Sequence, residues 1–381
     1  MKKILIPVVL GVLLTWSAPL PCASGSNLRF GPPEPTALPG EGAAVARDIA
    51  SYNDVALPPA VVLCGEPLPL NDRQVWESLD REFTIAVWNR AQVFLWLKRA
   101  GRYFPFIEAK LAAAGMPDDL KYLAVAESDL QSHVRSPAGA MGTWQFMDRT
   151  AQGHGLEKNQ QLDERRNFER STAAALSYLQ ALRRQFGSWT LAMAAYNCGE
   201  NRVESEIREQ RVSDYHRLDL PLETERYIFR IAAIKVIMEN PERYGYRVDP
   251  AHVYAPRAVE TVNVSLPHPV HIADLAQALG TDFKVIKELN GHIRGHHLPV
   301  GRYTLNLPAG KGYGIAPILN DLARSEAEPK TGPLARHHVV RKGETLSQIS
   351  QATGVSLVHL QQLNGIDGSL IRAGQKILIT P

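Results

Sequence analysis

Among the residues able to move a proton, Glu127 sits in the most telling surroundings. It lies near the end of the run Pro117-Asp-Asp-Leu-Lys-Tyr-Leu-Ala-Val-Ala-Glu127-Ser128. A proline in first position and two aspartates in the first turn mark a helix start and suit its positive end. Leu120, Leu123, Ala124 and Glu127 then follow the i, i+3, i+4, i+7 rule, so Glu127 shares the apolar face. A carboxyl group on that face loses its water, its pKa rises, and it stays protonated near neutrality. That is the state a general acid needs. Taken on this helix alone, a structural glutamate paired with an arginine is the better reading.

Two further segments bear on the choice. Ser136-Pro-Ala-Gly-Ala-Met-Gly-Thr-Trp-Gln-Phe-Met147 places Gly139 and Gly142 in a tight loop, then Gln145 among Trp144, Phe146 and Met147. Glycines let backbone approach a flat ligand, and aromatics with a few polar groups suit sugar rings. Ala194-Ala-Tyr-Asn-Cys-Gly-Glu-Asn-Arg-Val203 puts Tyr196 and Asn197 at the end of an Ala-rich, closely packed helix.

Together the Glu-Ser pair, the Ser-Pro-x-Gly-Ala-x-Gly-x-x-Gln-x-Met block and the Ala-Ala-Tyr-Asn-x-Gly block resemble the lytic transglycosylases with a goose-type lysozyme fold. Leu220-Pro-Leu-Glu-Thr-Glu-Arg-Tyr227 resembles a fourth block of that family, particularly its membrane-bound lytic murein transglycosylase D branch. The resemblance implies that Glu127 is the acid/base catalyst. It also implies that Ser136, Gln145, Met147, Tyr196, Asn197 and Tyr227 line a saccharide cleft. Two positions depart from the pattern: Thr143 stands where an apolar residue is usual, and Cys198 where alanine is. Both threaten packing rather than chemistry.

Glycosidases commonly use two carboxylates. Asp129 is close in sequence but points away from the face of Glu127, and Asp148 has no counterpart in the family motif. The resemblance implies the usual resolution. Glu127 protonates the leaving O4, the substrate's acetamido group stabilises C1, and Glu127 then acts as base while the muramic 6-hydroxyl closes a 1,6-anhydro ring. A hydrolytic muramidase with a second carboxylate is one rival reading. A non-catalytic wall-binding protein is the other, and retention of Glu127 with its lining residues argues against it.

Apolar spacing of three and four predicts helices over Ile85–Arg99, Phe106–Ala114, Pro117–Ser128, Thr172–Phe186 and Thr224–Met238. The fold class expected is mainly α: a lysozyme-like all-α catalytic domain over residues 71–250, followed by two small βααβ modules. The modules show as an internal repeat. Leu275–Gly291 aligns with Ile349–Gly365, sharing the closing Leu-Asn-Gly, and Leu298–Gly301 matches Ile371–Gly374. The second copy, 336–381, resembles the LysM glycan-binding module through its Gly343-Glu344-Thr345-Leu346 turn and Asn364. The first, 258–309, lacks that turn and reads as degenerate. Residues 310–335 show no periodicity and are expected to be a linker. His292, His296 and His297 fall in a loop of the first copy, which suits solvated residues better than a zinc site. Neither metal nor cofactor is expected.

Lys2 and Lys3 precede an apolar stretch from Ile4 to Trp16, so residues 1–24 read as a secretory signal peptide. Simple cleavage between Ala23 and Asn27 is the reading preferred, because Pro19 and Pro21 spoil a lipid-attachment signal at Cys22. Lipid anchoring at Cys22 is the alternative. The expected location is the periplasm or cell envelope, outer-membrane association included. Residues 25–70 are proline-rich and read as a tether, with one short helix around Ala43–Tyr52. Cys64 and Cys198 do not define a disulfide framework and read as unpaired thiols. A net charge of +3 with no run of five basic residues tolerates an anionic polymer and excludes a nucleic-acid footprint. The partner expected is the glycan strand of peptidoglycan, met by a monomer.

Overall fold

The computed structural model describes residues 55–327 and 337–379. The signal peptide, Cys22, the helix expected at Ala43–Tyr52 and residues 328–335 of the expected linker lie outside the described residues.

Helices dominate up to residue 245. α1, Arg73–Trp88, starts at Asp72, whose carboxylate accepts from the Gln74 and Val75 amides at 2.8 and 3.3 Å. Asn89 leaves helical geometry (φ −82°, ψ 65°) and separates α1 from α2, Arg90–Ala113. The helix expected over Ile85–Arg99 is therefore two helices meeting at Asn89. α2 also runs straight through Pro105, which joins the Ile85–Arg99 and Phe106–Ala114 segments the sequence reading kept apart. Proline forfeits one backbone bond there, and Ile107 and Leu111, both buried, hold the second half against the core. A 3-10 turn at Asp118–Leu120 leads into α3, Lys121–Ser128. There follow α4 (Asp148–Gly153), α5 (Phe168–Phe186), α6 (Trp189–Cys198), α7 (Glu200–Gln210) and α8 (Leu222–Glu239).

α8 is the axis of this part of the chain. Tyr227, Ile228, Ile231, Ala232, Ile234 and Ile237 are all buried, and α1, α2, α3 and α6 pack around it. A helix apolar round most of its circumference must be covered on most sides. Ion pairs join it to its neighbours: Arg226 Nε meets Glu82 Oε1 of α1 at 2.7 Å, and Lys235 Nζ meets Asp119 Oδ2 at 2.8 Å.

The C-terminal part of the expected tether belongs to this core, which corrects the sequence reading. β1 (Val62–Leu63) and β2 (Glu66–Pro67) form a hairpin whose Leu63, Cys64 and Leu68 are buried in the core. Glu66 places its carboxylate on the first turn of α6, accepting from the Trp189 and Thr190 amides at 2.5 and 3.1 Å. Prolines suit this short extended stretch, so composition concealed an attachment made 123 residues away. Cys64 and Cys198 are both free thiols.

The repeated units take the expected strand-helix-helix-strand order. In the first, β3 (Val259–Leu266) pairs antiparallel with β6 (Gly301–Pro308), running from Val259↔Pro308 to Leu266↔Gly301. Between them stand β4 (Val270–His271), α9 (Ile272–Ala278), α10 (Phe283–Leu289) and β5 (His297–Leu298), with β4 paired to β5. α11, Ile315–Ala327, then corrects the expected linker. It turns Ile315, Leu319 and Ala323 into the same core, a four-residue spacing that its flanking glycines and polar residues obscured. The second unit comprises β7 (His337–Val339), α12 (Leu346–Thr353), α13 (Leu357–Asn364) and β8 (Lys376–Leu378), around Val340, Leu346, Ile349, Leu360 and Ile377.

The shared Leu-Asn-Gly has a structural reason. Asn290 donates to the Ile286 and Asn306 carbonyls at 2.9 and 2.7 Å and accepts from the Asn306 amide at 2.8 Å. Asn364 does the same with Leu360 and Leu378, at 2.8, 2.9 and 2.7 Å. Each asparagine ties the end of the second helix to the last strand. Likewise Glu344 accepts from the Arg341 amide and pairs with His338 at 2.7 Å, so that turn is held from within.

His292 is not in a solvated loop. It is 3% exposed, pressed between the first module and the helical region, and burial drives its pKa down to about 4. The same seam carries backbone bonds from Asp163 N to His292 O (2.8 Å) and from Arg294 N to Gln161 O (2.7 Å), and Leu162 is buried in the module's core. His296 and His297 are exposed, as expected.

Glu66→Ala should lower stability by about 1–2 kcal/mol, the usual cost of losing a helix cap. Thermal or denaturant unfolding of the variant measures this; an unchanged midpoint would return residues 62–70 to the status of a passive tether.

Candidate active site

α3 delivers Glu127 to the flank of α8, and three residues on one face of α8 surround its carboxyl. Tyr227, itself 2% exposed, donates its hydroxyl to Glu127 Oε1 in a short hydrogen bond. Glu223 and Arg230 stand four residues before and three after Tyr227, so helical geometry puts them above and below it. Burial is the largest influence on the acid and raises its pKa. The Tyr227 bond opposes it, Glu223 adds to it and Arg230 subtracts, leaving the carboxyl at about 7. Arg230 also faces Glu82, 3.9 Å from its guanidinium. Of the two readings of Glu127 left open by its helix, the arginine-paired one gives way to a carboxyl held chiefly by a phenol.

The helix carrying Glu127 ends abruptly. Asp129 and Leu130 both adopt left-handed backbone angles, with φ of 55° and 60°. Non-glycine residues persist there only when their surroundings over-determine them. Here Trp96 Nε1 donates to Asp129 Oδ1 at 2.6 Å and Arg99 donates to the Asp129 carbonyl at 3.0 Å. Asp129 is thereby committed elsewhere, as its helical position suggested. Ser128 turns inward, donating to the Thr143 carbonyl at 2.8 Å, and so ties α3 to the glycine-rich loop.

That loop is stapled by Arg165. Its guanidinium donates to the Gly139 and Phe146 carbonyls at 3.1 Å each and pairs with Asp163 at 2.7 Å and with Asp148. Gly142 admits no side chain, because a Cβ would come within 2.0 Å of the Arg165 carbonyl oxygen. Trp144 is fully buried, its indole N–H on Thr172 Oγ1 at 2.9 Å. Asp148 bonds Lys158 as well as Arg165, which holds its carboxyl below the usual range and occupies it structurally. Thr143, one of the two departures from the family pattern, is fully buried with no partner for its hydroxyl.

Of the residues singled out in the sequence, the structure brings Glu127, Tyr196 and Tyr227 together. The Tyr196 hydroxyl donates to the Trp144 carbonyl at 2.7 Å, and burial and the nearby Glu127 push its pKa well up. Its ring lies 5.4 Å from Tyr178 and 6.1 Å from Phe146. Asn197 accepts from Thr224 Oγ1 at 2.7 Å, linking the end of α6 to the first turn of α8. Gln145 has a φ of 47° and donates to the Val134 and Gly142 carbonyls at 3.2 and 2.8 Å, bracing the loop. Ser136 accepts from the Ala140 amide at 3.0 Å and holds the turn. Met147 stands on the surface, 39% exposed, at the start of α4. The sequence reading passed over Glu223, Arg230, Glu82 and Arg165. The Glu223-x-x-x-Tyr227-x-x-Arg230 spacing was a usable signal for the first two; Arg165 reaches partners up to 26 residues away and carried none. Among the described residues no group of three or more His, Cys, Asp or Glu could hold a metal ion.

Comparison with known proteins agrees with this layout. Residues 104–218 match the transglycosylase SLT domain, and residues 272–303 and 338–380 match the LysM domain. The chain thus carries an SLT domain and two LysM domains, the degenerate copy included. It is 32% identical to the membrane-bound lytic murein transglycosylase D of Escherichia coli (strain K12) over 300 residues, 74% of this chain. The chain spans 64% of that relative's length. An autolysin of Enterococcus faecalis is 49% identical over 43 residues, 11% of this chain and 6% of that protein. Among solved structures, the 70 kDa soluble lytic transglycosylase SLT70 of Escherichia coli superposes with a TM-score of 0.31 at 24% identity, covering 37% of this chain and 24% of that one.

The raised pKa of Glu127 has a consequence for stability. The folded value, about 7, exceeds the usual 4.5, so the folded state is penalised as pH rises through 7 and not below about 4.5. At full ionisation the penalty is about 3 kcal/mol. Glu127→Gln keeps the acceptor for Tyr227 and removes the charge. It should unfold near the wild-type temperature at pH 4.5 and clearly above it at pH 8.5. A difference that stays constant across that range would show that Glu127 ionises without hindrance.

Proposed function

We propose that residues 71–250 form the catalytic domain of a lytic transglycosylase, which cleaves the β-1,4 bond between MurNAc and GlcNAc in peptidoglycan without water. The observation that carries this reading is the Glu127 carboxyl, held by the Tyr227 hydroxyl close to Tyr196, with burial raising its pKa to about 7. A protonated acid at neutral pH is poised to give its proton to the glycosidic O4 as the C1–O4 bond breaks. The acetamido oxygen of the same sugar attacks C1 and carries its charge. Glu127, now a carboxylate, withdraws the proton of the 6-hydroxyl, and O6 displaces the acetamido oxygen to close the 1,6-anhydro ring. Tyr227 supports both states, since its hydroxyl bond steadies the carboxylate while burial favours the acid. The reaction class agrees with the name of the Escherichia coli relative and with the SLT domain.

A hydrolytic course is the second reading, and Glu223 is what favours it: an exposed carboxylate close enough to raise the pKa of Glu127. The two LysM modules are proposed to bind wall glycan, with 336–381 acting as the anchor. The chain is taken to act in the periplasm or cell envelope as a monomer; among the described residues no helix is long and apolar enough to cross a membrane.

Mass spectrometry of digested sacculi tests the chemistry. New ends should carry 1,6-anhydro-MurNAc, each lighter by one water than a lysozyme product, and Glu127→Gln should abolish them. Activity of wild type should fall as pH rises past about 7, where the acid is lost. Predominantly reducing ends would make the enzyme a hydrolase. Residual turnover of Glu127→Gln within about tenfold of wild type would remove Glu127 as the acid, because such catalysis supplies roughly 10²–10⁴-fold.

Residues 337–379 enclose their own core, so removing everything beyond Thr331 should spare the catalytic fold. A tethered second site raises the local concentration of enzyme on a multivalent polymer. The truncated chain should be retained less on insoluble sacculi and digest them more slowly, with turnover of short soluble glycans barely changed. Equal retention of both forms would show that this module is not the anchor.

A further inference from the structure

We propose that the cleft between the helical domain and the first LysM module is a binding site of its own, for the carboxylate-bearing peptide stem carried by the glycan. This rests on the substrate assigned above.

The cleft measures about 1040 Å³ and begins three residues beyond Glu127, where Leu130, Gln131, Ser132 and His133 form part of its wall. Arg99, Arg102 and Arg166 line it from the helical domain, and Arg257, Lys284 and Lys287 from the module; Glu169 and Glu288 are the carboxylates present. Glu288 is engaged by Arg257 at 3.4 Å and Lys284 at 3.8 Å. The other four cations have no carboxylate partner among the described residues. Arg99 and Arg102 each donate to one backbone carbonyl, at 3.0 and 3.1 Å, and Lys287 to two, at 2.5 and 2.7 Å. Arg166 Nε is buried with no hydrogen-bond partner. Burial first, and then Arg166 on the opposite wall, disfavour the charge of Lys287. A partly enclosed cluster of like charges with an unsatisfied guanidinium is relieved by an anion.

The anion's class follows from the remaining walls and from position. Tyr103, Phe106, Phe168, Tyr254 and Phe283 offer apolar faces between the cations, which suits a short peptide with carboxylates and small apolar side chains. The peptide hangs from the lactyl group of MurNAc, the sugar whose C1 is attacked at Glu127, so a strand seated there brings its stems to this opening. The seam that forms the cleft is fixed by the backbone bonds of Asp163 and Arg294 and by Leu162, so both walls are in place before any ligand arrives.

The test uses the full chain and two substrates: glycan strands with stems, and the same strands stripped by an amidase. Arg166→Gln and Lys287→Gln should each lower kcat/KM on stem-bearing strands roughly tenfold, the scale of one lost charge-assisted bond, and leave stripped strands nearly unaffected. Equal loss on both substrates, or loss on neither, would overturn the proposal. Direct titration calorimetry with the free stem peptide is independent of turnover. Wild type should bind it and Arg166→Gln should bind it roughly tenfold more weakly. No binding by wild type, or displacement of the peptide by uncharged chito-oligosaccharide, would overturn the proposal even if the enzyme cleaves as described. Absence of cleavage on either substrate, with the peptide still bound, would instead sink the assignment of the active site.

Discussion

A carboxyl group taken out of water is much cheaper to bury neutral than charged, and the position of Glu127 turns on that difference. Nearby Arg230 would favour the charged form, yet Glu82 shares it, and the partner that reaches the carboxyl is the Tyr227 phenol. A phenol can hold either protonation state. The carboxyl is thereby left near neutrality, able to give a proton and to take one back. Much of the surrounding architecture serves this arrangement. α8 must be buried on several sides to carry Tyr227 inside, and α1, α2, α3 and α6 pack around it.

Rigidity is supplied from the other side. Three non-glycine residues near the acid, Asp129, Leu130 and Gln145, hold left-handed backbone angles. Such strain survives because neighbours fix it: Trp96 and Arg99 at Asp129, the Val134 and Gly142 carbonyls at Gln145, and Arg165 across the whole loop. Ser128 links the two halves through the Thr143 carbonyl. The surroundings of Glu127 are thus fixed by the fold itself, the preorganisation that the proposed chemistry needs.

The acid itself was legible because its signal is local. The spacing from Leu120 to Glu127 shows an apolar helix face, and the three motif blocks around Ser136, Tyr196 and Tyr227 lie in continuous stretches. The repeat was legible for the same reason, and the structure explains its Leu-Asn-Gly as a stitch between helix and strand rather than a contact surface. What escaped were attachments between distant segments. Prolines around Leu63 and Glu66 looked like tether, although they reach the start of α6. α11 looked like linker although Ile315, Ile318, Leu319, Leu322 and Ala323 follow helical spacing, a local signal overshadowed by the glycines and polar residues around it. His292 looked solvated because nothing nearby in sequence announces the helical domain that buries it. For the hairpin and for His292 the deciding contact is tertiary, and periodicity cannot report it.

Glu127 should keep its proton far above the ordinary carboxylate range, to a pH near 7. Infrared difference spectra between wild type and Glu127→Gln, recorded as a function of pH, read that proton directly. A protonated carboxyl band should persist at pH 6 and give way to the carboxylate with a midpoint near 7. A carboxylate already fully formed at pH 6, titrating at the ordinary value near 4.5, would contradict it.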